Sequence, residues 1–473
     1  MDLGHIFSMR RISYHTMRAA ALLAMGLLVV INLQSATYTW DGGGSNNNLS
    51  TAGNWNPDGA PAQGAGADLI FAGSTRLSPA VEWGWTVKSL SFNSTAGAFT
   101  LTGGQFTIGT GGVTNNSTRT QTIQSQIALS ANQTWNAAAG AIVSTDNFNG
   151  GNNTLTLAGS SAITISGQVS SVATLNLTGS GSRTFGTQTT ASTVNITGTG
   201  ASSFNGQLNV GTLNMSAGTN NFANVQATGG INISGSANAN FTGPVTGGSS
   251  GMNISSSGNV NFNGSINSGS ITLNGSGTTT ISGNGSMSTG AVTVNNGTLV
   301  LDHNGAAINS TLTVNNGGTV IFGQNNQIPN WQTVTLNEGS TLHLGNTSQT
   351  IANLIITGDS VIDFGEGGSQ LNVQEWGNIS IADGITITIV NWDDSKGDVF
   401  AGRNPGTPVV NIQYADNNGN VYATGTWGGG LITPGAPVPE PATYGFIMLG
   451  SGIAFFAWRR WQTARKQAQA QHV

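Results

Sequence analysis

Ionisable side chains are scarce in this chain, and their placement limits its chemistry. Charged residues make up 7% of 473, and there is no cysteine. Between residues 89 and 300 the only charged side chains are Arg119, Asp146 and Arg183, with no His, Tyr or Cys. General acid–base, nucleophilic and metal chemistry draw on that missing set. A polysaccharide lyase or glycosidase needs clustered carboxylates, or Lys and Arg, on one face. The last third is richer. His343 and Asp363 stand 20 residues apart, Asp302 and His303 are adjacent, and Asp393, Asp394 and Asp398 gather in one short stretch. A His–Asp pair can serve as a base, and clustered carboxylates can collect Ca²⁺. The bland alternatives are a structural pair and a solvated acidic turn. They are the expectation here: Val300 and Ile321 occupy the column of His343 and Asp363 in preceding coils, as on an ordinary surface, and the Gly-rich nonapeptide of calcium-binding β-rolls is absent. No cofactor, no metal site and no enzymatic activity are expected.

What positions those residues is a repeat near twenty residues. Apolar pairs flanking one polar residue fall at Leu155/Leu157, Leu175/Leu177, Val194/Ile196, Leu213/Met215, Ile231/Ile233 and Met252/Ile254. They continue at Ile271/Leu273, Val292/Val294, Leu312/Val314, Val334/Leu336 and Leu354/Ile356, in steps of 18 to 22 residues. A second column, Phe185, Phe204, Phe222, Phe241, Phe262, Ile281, Leu301, Phe322, Leu344 and Phe364, runs eight to ten residues behind. A looser third column follows from Leu208 through Val225, Val245, Ile266, Met287, Ile308 and Ile328 to Ile351. Apolar-polar-apolar spacing is strand periodicity, and the intervening Gly, Asn and Ser make turns. Three short strands per repeat predict an all-β chain, a right-handed parallel β-helix in which each coil buries its apolar face on the next. Eleven coils from Leu155 would run about 53 Å.

Two consequences follow for the surface. The residue inside each first-column pair points outward, and it reads Asn176, Asn195, Asn214, Asn232 and Asn253, then Thr272, Thr293, Thr313 and Thr335. Stacked amides bond from coil to coil, so an outward Asn ladder followed by a Thr ladder is expected. His343 and Asp363 each precede an inward residue of the second column, which makes them outward neighbours about 5 Å apart on adjacent coils.

The body, residues 37–437, carries 16 acidic and six basic residues, which argues against nucleic acid as a partner. Arg10, Arg11 and Arg18 precede an apolar stretch over 19–31 and then Asn32-Leu33-Gln34-Ser35-Ala36. That is the order of a secretory signal peptide, with cleavage expected after Ala36; an uncleaved signal anchor is the alternative. At the other end Val438-Pro439-Glu440-Pro441 is followed by 17 apolar residues, 442–458, and by Arg459-Arg460. Proline breaks the helix at the motif. A helix over the apolar run spans roughly 26 Å, just enough for a thin bilayer core. Arg459, Arg460, Arg465 and Lys466 then hold its end in the cytoplasm.

This order of motif, span and basic cluster resembles the PEP-CTERM sorting signal of Gram-negative bacteria. The resemblance implies a membrane intermediate, recognition by an exosortase-type processing enzyme, and transfer to the cell surface or extracellular matrix, with polysaccharide as a candidate partner. Trp40-Asp41-Gly42 and Asn54-Trp55 resemble the opening of exported autotransporter-like β-helix proteins, where another Trp often lies between the two; Leu49 stands there here. Trp40 and Trp55 are expected to plug the first coil, since a solenoid end must be covered. The expected organisation is signal peptide 1–36, N-terminal cap and first strands 37–88, β-helix 89–390, C-terminal cap and linker 391–437, and sorting signal with a transmembrane helix 438–473. Pro405, Pro408, Pro434 and Pro437 mark the approach to the tail as loops. The expected function is a non-enzymatic surface or matrix protein; the alternative is a β-helix carbohydrate-active enzyme.

Overall fold

A computed structural model of the protein describes residues 36–64, 66–374, 378–403 and 411–437. The signal segment lies outside the described residues. So does the tail with Val438, Pro439, Glu440, Pro441, Arg459 and Arg460, including its expected membrane-spanning helix. Among the described residues no helix is long and apolar enough to cross a membrane.

The described chain is an all-β parallel solenoid of about 16 turns, with about 21 residues per turn. Its first ladder runs through Leu155, Leu175, Val194, Leu213, Ile231 and Met252 in strict register. It continues through Ile271, Val292, Leu312, Val334, Leu354 and Ile379. The second joins Phe185, Phe204, Phe222, Phe241 and Phe262 to Ile281, Leu301 and Phe322. Five phenylalanine rings stack down the interior at 4.6, 5.3, 5.0 and 4.8 Å, their planes within 15° of parallel. The fold puts these rings in stacking contact because successive coils lie one strand spacing apart, which matches the offset that aromatic faces prefer. The third ladder pairs Leu208, Val225, Val245, Ile266 and Met287. Met287 is only half-buried, consistent with the looser spacing of that column.

Glycine lets the coils approach where they turn. Gly179 has φ +80°, and a Cβ there would lie 2.4 Å from the Gly159 carbonyl oxygen of the preceding coil.

Parallel pairing already begins at Ala36, which lies beside Ala67, and passes from Leu69 to Leu90 and from Leu90 to Val113. Register shifts interrupt the pairing near residues 81–89. Trp40 and Trp55 are fully buried and meet edge to face at 5.2 Å, against Phe71. Leu49 is buried beside them, and its carbonyl accepts the Trp55 indole N–H at 2.8 Å.

At the other end, parallel strands at Val399–Ala401 and Ile412–Ala415 extend the ladders. An antiparallel hairpin, Val421–Gly428 with Leu431–Pro437, then covers the last coil. The sequence reads Pro434 and Pro437 as loop, but they lie in the hairpin's outer strand. Proline is tolerated there because an edge strand need not donate on its free side.

Candidate functional site

The last coils bring the scarce ionisable groups together. His343 and Asp363 are register partners on adjacent coils, and His343 Nδ1 lies 2.7 Å from Asp363 Oδ2. Asp363 Oδ1 also accepts the Gly365 amide at 2.8 Å and the Asn391 side-chain amide at 2.7 Å. Burial of the Asp363 carboxyl works against its charged form. The hydrogen bonds from Asn391, Gly365 and His343 outweigh that and hold its pKa below the ordinary value. Asn391 has φ +59°, a left-handed conformation that Asn tolerates better than most residues.

Trp392 follows directly. Its ring meets Phe364 edge-on at 4.8 Å and Tyr414 at 5.3 Å, and its N–H donates to Asp394 at 2.7 Å. His343, Glu366, Asn391, Trp392, Asp393 and Asn417 line an open cleft of about 610 Å³.

The remaining candidates separate. Asp302 is exposed, whereas His303 turns inward and is 4% exposed, with neither ring nitrogen hydrogen-bonded. Alternation along a strand sends adjacent residues to opposite faces, so the two do not form a pair. Asp393 accepts from the Ser395 hydroxyl and amide, and these bonds lower its pKa. Asp398 is buried and accepts the backbone amides of Ser369 and Asp393 at 2.8 and 2.7 Å. The acidic stretch thus folds as a turn held by its own donors. Among the described residues no three His, Asp or Glu groups converge as metal ligands do.

The outward Asn ladder forms from Asn176 to Asn232; Asn253 keeps the register but bonds onward to Asn274 instead. Asn195, Asn214 and Asn232 each donate to the preceding Asn oxygen at 2.9 Å, and a groove of about 390 Å³ runs along them. Thr272, Thr293, Thr313 and Thr335 continue the column in register. A second amide ladder escaped the sequence reading. It passes from Asn253 to Asn274 at 2.9 Å, to Asn295 at 2.6 Å and to Asn315 at 2.5 Å, then to Asn337 and the Thr357 hydroxyl. Asn253 still divides its apolar pair, but from Asn274 on these residues follow the pair, two positions along on the same face. Their spacing of 21, 20 and 22 residues was the available signal.

Arg183 was also missed. It is 2% exposed and donates to five backbone carbonyls, those of Leu157, Gly159, Ser161, Thr178 and Ser182, at 2.9 to 3.4 Å. Burial lowers its pKa to about 10, which leaves it cationic at neutral pH.

Comparison with curated proteins finds no match, and comparison with solved structures finds none. Residues 437–460 match the PEP-CTERM protein-sorting motif. The chain therefore carries an exosortase-type sorting signal directly after a parallel β-solenoid, and it is an exported protein of the Gram-negative kind that passes through a membrane.

Proposed function

We propose that the protein is a non-enzymatic structural or adhesive solenoid of the cell surface or extracellular matrix, working within exopolysaccharide or biofilm. The observation that carries this reading is the surface itself. Two amide ladders and a threonine ladder line one outer face, while most of the ionisable groups sit at the C-terminal end. Such a surface offers many weak, repeated hydrogen bonds and little acid–base chemistry. Screening the secreted protein on a glycan array, alongside matrix cohesion of a deletion strain, tests it. Retention of a polysaccharide and a loosened matrix support the reading; neither effect would sink it.

One observation favours a second reading, a carbohydrate-active enzyme: the His343–Asp363 pair opens on the cleft beside Trp392. Turnover of a polysaccharide that disappears in His343→Ala would establish it.

A further inference from the structure

The hairpin that closes the last coil ends in Trp427-Gly428-Gly429-Gly430-Leu431. Trp427 is 38% exposed and Leu431 43%. One edge of the tip is tied to the solenoid, where the Gly402 amide donates to the Gly430 carbonyl at 2.9 Å and the Trp427 indole N–H donates to the Gly402 carbonyl at 3.3 Å. A Cβ added at Gly428, Gly429 or Gly430 would meet nothing within 4 Å, so the rest of the turn is open. Trp427 pairs with Ile432 and Leu431 with Gly428. Directly opposed residues share a face, so Trp427 lies on the inward face with fully buried Ile432 and Leu431 on the outward face, and both stay partly exposed at the rim of the tip. Exposed Arg403, one of six basic residues in the body, lines the adjoining groove of about 540 Å³ with Trp427 and Leu431.

The chain leaves this same hairpin for its sorting signal. The outer strand, Leu431–Pro437, ends at the first residue of the match, and only Val438 lies between Pro437 and Pro439. The five residue steps from Pro437 to Ala442 reach at most about 17 Å, so the body stays close to the bilayer when residues 442–458 enter it. The strand itself carries the tip about 20 Å back from Pro437, within reach of the same lipid surface if the hairpin lies along it.

We propose that the tip around Trp427, Leu431 and Arg403 is a lipid-docking surface, which seats the solenoid on the bilayer that its tail enters. Trp sits well at the headgroup level, Arg meets lipid phosphate, and side-chain-free glycines let the backbone approach closely. The body's acidic excess opposes an anionic membrane, so the lipid surface it fits is zwitterionic. The proposal rests on the reading that the tail inserts.

The chain has no cysteine, so a single nitroxide label can be placed at will. The full-length Leu431→Cys variant is labelled and reconstituted into phosphatidylethanolamine–phosphatidylcholine vesicles. Trp331→Cys, at a side chain 66% exposed on the solenoid, serves as the aqueous control. The vesicles are floated, and label collisions with oxygen and with a water-soluble nickel complex are compared. The expected result is flotation of both variants, with the oxygen-to-nickel ratio several-fold higher at 431 than at 331. Flotation with equal ratios overturns the docking surface and leaves tail insertion standing. A chain that stays at the bottom of the gradient refutes tail insertion, and the proposal with it. Shielding of position 431 only after soluble polysaccharide is added assigns the groove to a glycan and overturns the lipid assignment.

Discussion

Asp363 and Arg183 show two opposite uses of charge in a chain that has little of it. Asp363 is largely buried, and its carboxylate ties three segments together through His343, Gly365 and Asn391. Its folded pKa is depressed, so its contribution to stability is complete above the unfolded value, about 3.9, and is lost as pH falls through the folded one. Thermal unfolding followed against pH should show the last coils weakening below about pH 4, and Asp363→Asn should flatten that acid limb. An unchanged acid limb would mean that the pair contributes nothing. Arg183 is buried and without a carboxylate, but its planar fork matches several carbonyls at once, which a lysine ammonium does not. Arg183→Met should lose on the order of 2–3 kcal/mol in chemical denaturation, since bonds to a charged donor exceed neutral ones. Arg183→Lys should recover little of that.

At the scale of the element, inward phenylalanines and outward amides act on the same strands from opposite faces. Phe222 is 1% exposed and stacked on both sides. Phe222→Ala should therefore cost about 3–5 kcal/mol; a loss under about 1 kcal/mol would count against a filled interior. Asn295 donates to Asn274 and accepts from Asn315. Asn295→Ala should cost roughly 1–2 kcal/mol, because it also strands a neighbouring amide. The paired variant Asn295→Ala with Asn315→Ala should fall short of the sum, since the two share a bond. Additive losses would show that the amides bond to water instead of to one another.

For the whole molecule, the two ends matter more than the middle. A solenoid of identical ladders invites end-to-end pairing. Here the first coil is closed by Trp40, Leu49 and Trp55, and the last by the Val421–Gly428 and Leu431–Pro437 hairpin. The second cap leads straight into the sorting signal, so the fate of the tail decides where the body resides. Mass spectrometry of surface material should find a C-terminus near Pro441 if the processing enzyme releases the body. Recovery with residues 442–473 still attached would show permanent anchoring, the role that a short span flanked by Trp458, Trp461 and arginines could fill.

The parallel β-solenoid, the inward Phe column, the first Asn ladder and the neighbouring of His343 with Asp363 are all legible in the residue order. All four follow from one period near twenty residues and strict alternation along each strand, which are local rules repeated many times. Features that depend on where the period drifts or ends emerge only once the coils are packed. The second amide ladder shifts two positions along the coil, and His303 turns inward where Asp302 turns out. The C-terminal prolines join a hairpin, because an edge strand forgives a missing donor. Asn391 and Trp392 line one cleft with His343 and Glu366, held there by contacts with Asp363 and Phe364 between turns that no periodicity encodes. Packing between non-repeating segments is set by shape in three dimensions, and that is why the cleft and the hairpin tip appeared only in the fold.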